Sequence, residues 1–528
     1  MPTLEIDGQQ VTVDDGLNLI QAAEHLGIEI PHYCFHPGLP VAGNCRMCLV
    51  EVEKMPKLQI ACNTRVGEGM VVRTRSERVK RAQAAVLEFL LVNHPIDCPI
   101  CDQAGECKLQ DYYMDYDRQP SRVPLQAKVK KGKAIEIGPM VMLDQERCIL
   151  CTRCTRFLDE VTKTGELGVF ERGNHCMIDL FPGRRLDNPY SGNVVDICPV
   201  GALTSKDFRF RSRVWYLEAT RSVCPTCATG CNIDIHHRRG EMFRFRPRYN
   251  AEVNKYWICD EGRLSYKNFQ GEGRLLHALV RDGEQWRRSP TAAAAHRVAD
   301  RLREIAAEFG AAAVRGVVSA QATCEEAFLF ERLIREVVGG QVTGFSWSPP
   351  DAYHDDFLID ADRNPNSSGL RELALAIDGV EPLLADISAG RVRALVLLRA
   401  DLSLAAGDRV LQALAERVDF CVVIDSHHGA VTETADVVLP IATFAETDGT
   451  FVNRERRVQR TRKAFASPGD AVDGWQLLSD LLSYTGATAP RTAAEAFAGL
   501  TATFPSFGGL TFDVVGECGV RLRPAAPA

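Results

Sequence analysis

The chain has 528 residues, enough for roughly three to five domains with substantial cores. Hydrophobic residues at 45% and charged residues at 25% place it among ordinary soluble globular proteins, and a net charge of −7 argues against a general nucleic-acid surface. The unusual feature is 19 cysteines, 16 of them between Cys34 and Cys259. The opening MPTLEIDGQQ has no basic n-region and no apolar h-region, so no secretory signal is expected. Clustered cysteines in a reducing compartment read as metal ligands rather than disulfides. No apolar run is long enough to cross a bilayer; the strongest, Ala394–Leu398, is strand-sized. Membrane association is expected to go through partner subunits.

Taken in order, residues 3–7 and 11–13 read as strands around a turn at Gly8, and Leu17–Leu26 as a short helix ended by Gly27. Cys34, Cys45, Cys48 and Cys62 follow, spaced C-x10-C-x2-C-x13-C, with Gly43 and Asn44 suited to a loop wrapped on a cluster. The pattern is like that of plant-type ferredoxins with a longer first gap, and predicts a β-grasp domain holding a [2Fe–2S] cluster; zinc is the alternative. Ser76–Asn93 reads as a helix with Val79, Ala82, Val86, Phe89 and Leu90 on one face and Arg78, Lys80 and Arg81 on a solvated one. It leads into HPIDCPICDQAGEC, which sets His94, Cys98, Cys101 and Cys107 in the pattern H-x3-C-x2-C-x5-C. Alone that stretch fits a zinc knuckle or an iron–sulfur site.

After a connector at 112–147 come Cys148, Cys151 and Cys154, with Cys198-Pro199 far downstream. Two-cluster ferredoxins repeat C-x2-C-x2-C-x3-C-P, the last cysteine of each run serving the other cluster. Here Leu158 stands where the first run would place its fourth cysteine, and Asn188, Ser191 and Val194 fill the second run. One cluster is therefore lost, and the four surviving cysteines are expected to hold one [4Fe–4S] cluster. Cys176 lies outside the spacing and reads as a core thiol. The fourth set is Cys224, Cys227, Cys231 and Cys259, spaced C-x2-C-x3-C-x27-C around an arginine-rich hairpin, IDIHHRRGEMFRFRPR. The spacing fits a [4Fe–4S] cluster of the kind that opens molybdopterin oxidoreductases.

From about residue 274 the ligand sets end. A helix is expected from Ser289-Pro290 to Gly310, a strand at 313–319, and a helix from the capping box Thr323-x-x-Glu326 to Gly339. Strands 394–398 and 420–424 flank a helix at 408–417, which predicts α/β structure with a largely parallel sheet. No G-x-G-x-x-G and no Walker loop is present, so no NADH site is evident, nor is a quinone site. Cys324, Cys421 and Cys518 read as buried small hydrophobes.

Four ligand sets in this order resemble the G subunit, the large iron–sulfur subunit, of bacterial respiratory NADH–quinone oxidoreductase (complex I). The resemblance is specific to about residue 270 and looser beyond. It implies one [2Fe–2S] and three [4Fe–4S] clusters, all fifteen cysteines and His94 as ligands, no catalytic residue, and a role as an electron-transfer subunit of an NADH:quinone oxidoreductase of the translocase type. Electrons would arrive from the flavin subunit that oxidises NADH and leave through a ferredoxin-like subunit toward the quinone-site subunits. The chain would lie peripherally on the cytoplasmic side of the inner membrane. ADVVLP at 435–440 and ETDGTFVNRERRVQ at 446–459 resemble a molybdopterin oxidoreductase. Arg456 replaces that family's glycine, Glu261 its lysine after the last cluster cysteine, and no molybdenum-ligating cysteine is found. The expectation is a degenerate domain without molybdenum cofactor. The implied fold is α+β and α/β multidomain: a ferredoxin-like β-grasp at 1–80, cluster domains at 81–125, 126–216 and 217–273, and a molybdopterin-oxidoreductase-like α/β domain at 274–528. The rivals are the molybdenum subunit of an NAD-dependent formate dehydrogenase, a hydrogenase subunit, and a zinc-stapled scaffold.

Overall fold

A computed structural model describes residues 1–117 and 120–523. The chain divides into two compact units, Met1–Leu217 and Glu218–Ala528. Among the described residues no helix is long and apolar enough to cross a membrane.

The first unit opens with a five-stranded mixed sheet. Thr3–Ile6 pairs antiparallel with Gln9–Thr12 and parallel with Val71–Arg73, which in turn pairs with Leu49–Val52. The turn between the first two strands puts Asp7 and Gly8 at positive φ, 48° and 84°. Leu19–Glu24 forms the helix of this grasp, capped reciprocally by Asn18 and Gln21. Its Leu19, Ile20, Ala22 and Ala23 pack on Leu4, Ile6, Val50 and Val72.

The long helix runs Glu77–Leu91 behind the N-cap Ser76. Its buried face is Val79, Gln83 and Leu87, one residue per turn, with Val86 and Leu90 packed beside it. Phe89 is 81% exposed, contrary to the face predicted for it. It lies two positions past Leu87 and so points well away from that stripe. The last carbonyls of this helix are bound by Lys128, whose Nζ donates to Leu91, Val92 and His94 at 2.8, 3.0 and 2.8 Å.

In the second unit the predicted arginine-rich hairpin is present as Asn232–Arg238 and Glu241–Pro247. A seven-stranded sheet follows. Five strands are parallel, in the order 437–440, 420–425, 394–398, 314–319, 341–345. Ala278–Asp282 and Gln285–Ser289 close one edge antiparallel. The helix Thr291–Phe309 has Pro290, not Ser289, at its cap, because Ser289 completes the preceding strand. Thr323 and Glu326 form the predicted capping box. The helix they start continues as a π-helical stretch, Arg332–Val338, and stops at Gly339 in the left-handed region. Cys324 and Cys421 are buried as expected, whereas Cys176 is half-exposed and Cys518 exposed. Both corrections concern thiols in turns, where no periodicity marks an inward face.

Glu325 lies fully buried in the first turn of that capped helix. Its carboxylate accepts from Thr450 N–H at 2.8 Å and from the Thr450 hydroxyl at 2.9 Å. Burial raises its pKa to about 7. An unfolded glutamate titrates near about 4.3, so the stability this group contributes is complete below that pH and is lost as pH rises toward the folded value. Glu325→Gln should therefore gain on the parent chain in melting temperature between about pH 5 and pH 8. A variant-minus-parent difference that does not change with pH would contradict this.

Candidate metal centres

The first set is brought together at the edge of the grasp domain. Cys34, Cys48 and Cys62 are buried and Cys45 is half-buried. The thiols hydrogen-bond among themselves: Cys34 with Cys45 and Cys62, and Cys62 with Cys48. Donation from Cys45 and Cys62 holds the Cys34 thiol well below the usual range. Gly43 takes φ +62°, which lets the loop turn in to Cys45.

The second set follows the long helix. His94 is pulled down to about 4 by burial and by the nearby cations of Lys128, Arg147 and Lys133, against the opposing charge of Asp97. The imidazole is thus neutral near pH 7, the form that ligates metal. Its Nδ1 accepts the Ile96 N–H at 3.1 Å. Burial raises Cys101 and pushes Cys107 up to about 11. A Cβ on Gly201 would stand 2.3 Å from Cys101 Sγ, so only glycine lets the chain after Cys198 lie on this set.

The third set lines one small cavity with Leu143, Ile178 and Val200. All four cysteines, Cys148, Cys151, Cys154 and Cys198, face it. Leu150 and Thr152 take positive φ, 54° and 59°, a conformation costly for such residues and one that clusters at functional loops. Burial pushes Cys148 up to about 12 and Cys151 to about 11. At the positions where a two-cluster ferredoxin would have its other cysteines, Leu158, Ser191 and Val194 are fully buried, and Asn188 donates to Glu166 at 2.8 Å.

The fourth set belongs to the second unit. Cys224, Cys227, Cys231 and Cys259 are all buried. A Cβ on Gly262 would stand 3.1 Å from Cys224 Sγ and 3.2 Å from Cys259 Sγ, and the Gly262 N–H donates to Cys259 Sγ at 3.2 Å. Among the described residues no group of three or more His, Cys, Asp or Glu is arranged to hold a single metal ion. An iron–sulfur cluster makes a different demand, since its ligands are spread over two or four irons of a larger body and do not converge on one ion. Four buried sulfurs, a glycine pressed on them and N–H groups aimed at sulfur fit that body.

Sequence reasoning missed the groups that tie the sets together in the first unit. Arg147 makes two bonds to Asp97, at 2.9 and 2.6 Å, and lies 3.4 Å from Asp144. Lys133 reaches Asp97, Asp144 and Glu146 at 3.0 to 3.3 Å. Burial opposes ionisation of Asp97, but Arg147 and Lys133 outweigh it and hold its pKa down to about 2. Arg153 donates to the Phe35 and Ile197 carbonyls, and Arg156 to those of Cys34, Pro40 and Cys151. No spacing rule announces these arginines, because most of their partners are backbone oxygens far away in the chain.

Five family profiles match the chain: "2Fe-2S iron-sulfur cluster binding domain" at 1–77, "NADH-ubiquinone oxidoreductase-G iron-sulfur binding region" at 83–122, "NADH-quinone oxidoreductase subunit 3, ferredoxin-like domain" at 138–204, "Molybdopterin oxidoreductase Fe4S4 domain" at 217–270 and "Molybdopterin oxidoreductase" at 380–484. The mitochondrial 78 kDa subunit of NADH-ubiquinone oxidoreductase from Candida albicans is 32% identical over 92% of this chain and 83% of its own length. The chain belongs to this family. The G subunit of NADH-quinone oxidoreductase from Rickettsia bellii is 37% identical over 75% of this chain, and that from Rickettsia felis 40% identical over 64%. The chain spans about half the length of these bacterial relatives, 57% and 49%. A chain from the crystal structure of an NAD+-reducing [NiFe]-hydrogenase is a distant likeness, with 28% identity, TM-score 0.36, and coverage of 40% of this chain and 91% of that one.

Gly201→Ala should displace Cys101 and lower the iron content of the anaerobically purified protein. Full iron content in that variant would show that the chain after Cys198 does not lie on the ligand.

Proposed function

We propose that the chain is an electron-transfer subunit of an NADH–quinone oxidoreductase, passing electrons from an NADH-oxidising flavin subunit through iron–sulfur clusters toward quinone. The observation that carries this reading is the shared core of the first unit. Cys34, Cys107 and Cys151, one from each of three sets, lie buried in one cluster with Tyr33, Met47 and Tyr112. Bound clusters would supply one-electron carriers whose potentials depend on cluster type, hydrogen bonds to sulfur and solvent exposure.

The ligands we assign are Cys34, Cys45, Cys48 and Cys62 for a [2Fe–2S] cluster. His94, Cys98, Cys101 and Cys107; Cys148, Cys151, Cys154 and Cys198; and Cys224, Cys227, Cys231 and Cys259 would each hold a [4Fe–4S] cluster. Boundaries near residues 80, 125, 216 and 273 are supported by the spans of the family matches.

Within the first unit the third set is the middle station. Its 148–156 segment meets the first set, through Asn44 Nδ2 to the Leu150 carbonyl at 3.3 Å and through Arg156 to the Cys34 carbonyl. Its 198–201 segment meets the second set, through Gly201 against Cys101 and the Lys108 N–H to the Pro199 carbonyl at 3.0 Å. The surface beside the second set is apolar. Ile96 and Ile100 are exposed on its loop, and Phe210 and Trp215 stand exposed against Asp102 and Gly105. Exposed apolar residues gathered beside a redox centre suit a docking face for the next subunit. The chain would sit at the membrane's cytoplasmic side through such partners.

The C-terminal domain is read as not carrying molybdenum. Cys324 is a fully buried thiol raised by burial, 3.4 Å from Asn366 Oδ1. Glu261 pairs with Arg363 at 2.9 Å where a lysine would stand. Arg456 adopts φ +57° and is held by two bonds to Glu372, at 2.6 and 3.1 Å.

Metal and acid-labile sulfide analysis of anaerobically purified protein should give about fourteen iron atoms per chain and no molybdenum. Zinc in place of iron would mean a scaffold, and molybdenum with iron would reopen formate oxidation. His94→Cys should lower the midpoint potential of the second cluster, because a thiolate adds negative charge where neutral imidazole stood. An unchanged EPR redox titration would remove His94 from the ligands.

A further inference from the structure

Tyr33 stands immediately before Cys34, the first ligand assigned to the first set, and is 0% exposed. Its ring meets that of Tyr112 edge-on, with centroids 5.3 Å apart. Tyr112 ends the short helix Lys108–Tyr112, which starts directly after Cys107. A residue of the first set's loop is thus packed on the segment that carries the second set. Around it in the same buried core lie Met47, Leu87, Leu109, Val200 and Ala202, together with Cys34, Cys107 and Cys151.

The Tyr33 hydroxyl is buried and has no hydrogen-bond partner among the described residues. A buried tyrosine hydroxyl ordinarily finds one, and a sealed donor without an acceptor is costly. Tyr112 beside it shows the ordinary case: its hydroxyl donates to Glu29 at 3.0 Å and accepts the His32 N–H at 3.4 Å. Glu29 is bound in turn by Lys108 at 3.2 Å. Nothing comparable serves Tyr33, because its apolar neighbours offer no acceptor and no thiol is bonded to it. Burial raises its pKa, and so do the neighbouring Tyr112, Cys107 and Cys45, Cys107 ahead of Cys45. The hydroxyl therefore keeps its proton near pH 7 and is a donor. An orphaned buried group asks for a partner that the chain itself does not supply. Iron–sulfur clusters bring such partners, since their sulfurs accept hydrogen bonds, and those bonds are one of the levers on reduction potential.

We propose that the Tyr33 hydroxyl donates a hydrogen bond to a sulfur of the cluster held by the second set, and thereby raises that cluster's reduction potential. This rests on the reading of His94, Cys98, Cys101 and Cys107 as cluster ligands. A hydrogen bond to sulfur favours the reduced, more negative form, because bonds to charged acceptors are the stronger ones. Tyr33 and the neutral imidazole of His94 then act in the same direction, and both draw electrons from the third set toward the second.

The test is Tyr33→Phe in the full-length holoprotein, which keeps the ring and removes only the hydroxyl. Low-temperature EPR redox titration is combined with proton ENDOR on reduced protein prepared in light and in heavy water. Iron content should match the parent, and the one-electron reduction equilibrium of the second cluster should fall by about threefold or more. The first and third clusters should hold their potentials. An exchangeable proton coupled to the reduced second cluster should be present in the parent and lost in the variant. That proton is sought in the parent itself, so its absence there would overturn the inference even if the variant lost iron. An equal fall in Tyr112→Phe would show a packing effect and overturn it too, as would a shift confined to the first cluster. Parent protein without iron would remove the cluster reading altogether, whereas full iron with an unchanged second potential in Tyr33→Phe would overturn this inference alone.

Discussion

Loops that present thiolates to a cluster carry little regular structure, so something else must fix their backbones. In the first unit that task falls to arginine. Arg153 and Arg156 bind carbonyls of the first and third loops, while Arg147 clamps Asp97 beside Cys98 from a position beside Cys148. A guanidinium offers five donors in a rigid fork, so one side chain can hold two chain segments at once. These cations also lie close to sulfurs that become negative when metal-bound, which offsets part of the cost of burying that charge.

A second device is glycine at the sulfurs. A Cβ at Gly201 would strike a cysteine sulfur, and one at Gly262 would press tightly on two. Both lie outside the C-x-x-C turns, on segments that follow the last cysteine of a set. Where a two-cluster ferredoxin would have its other cysteines, Leu158, Ser191 and Val194 are instead buried and Asn188 bonds Glu166.

Much of this was legible in the sequence because cluster ligation imposes local spacing. The Asn232–Pro247 hairpin, the Thr323 capping box and the 408–417 helix all follow from short-range rules. What was not legible is long-range. Phe89 fits a helical stripe on paper, yet the sheet and loops below the helix meet Val79, Gln83 and Leu87 instead. Cys176 and Cys518 resemble core thiols by type, but their surroundings leave them half-exposed and exposed. Arg147, Arg153 and Arg156 carry no motif, and their importance emerges only when distant carbonyls and Asp97 are seen to converge on them. Glu261 and Arg456 were readable as departures from the molybdopterin-oxidoreductase pattern, while their partners, Arg363 and Glu372, lie too far away in the chain for spacing to reveal.

In the proposed order of stations the third set stands between the first and the second. Pulsed EPR on partly reduced protein measures the magnetic coupling of each pair of reduced clusters directly. The third cluster should couple strongly to both neighbours, and the first and second more weakly to each other. A first-to-second coupling equal to or stronger than either of those would contradict the proposed order and the roles given to Gly201 and Arg156.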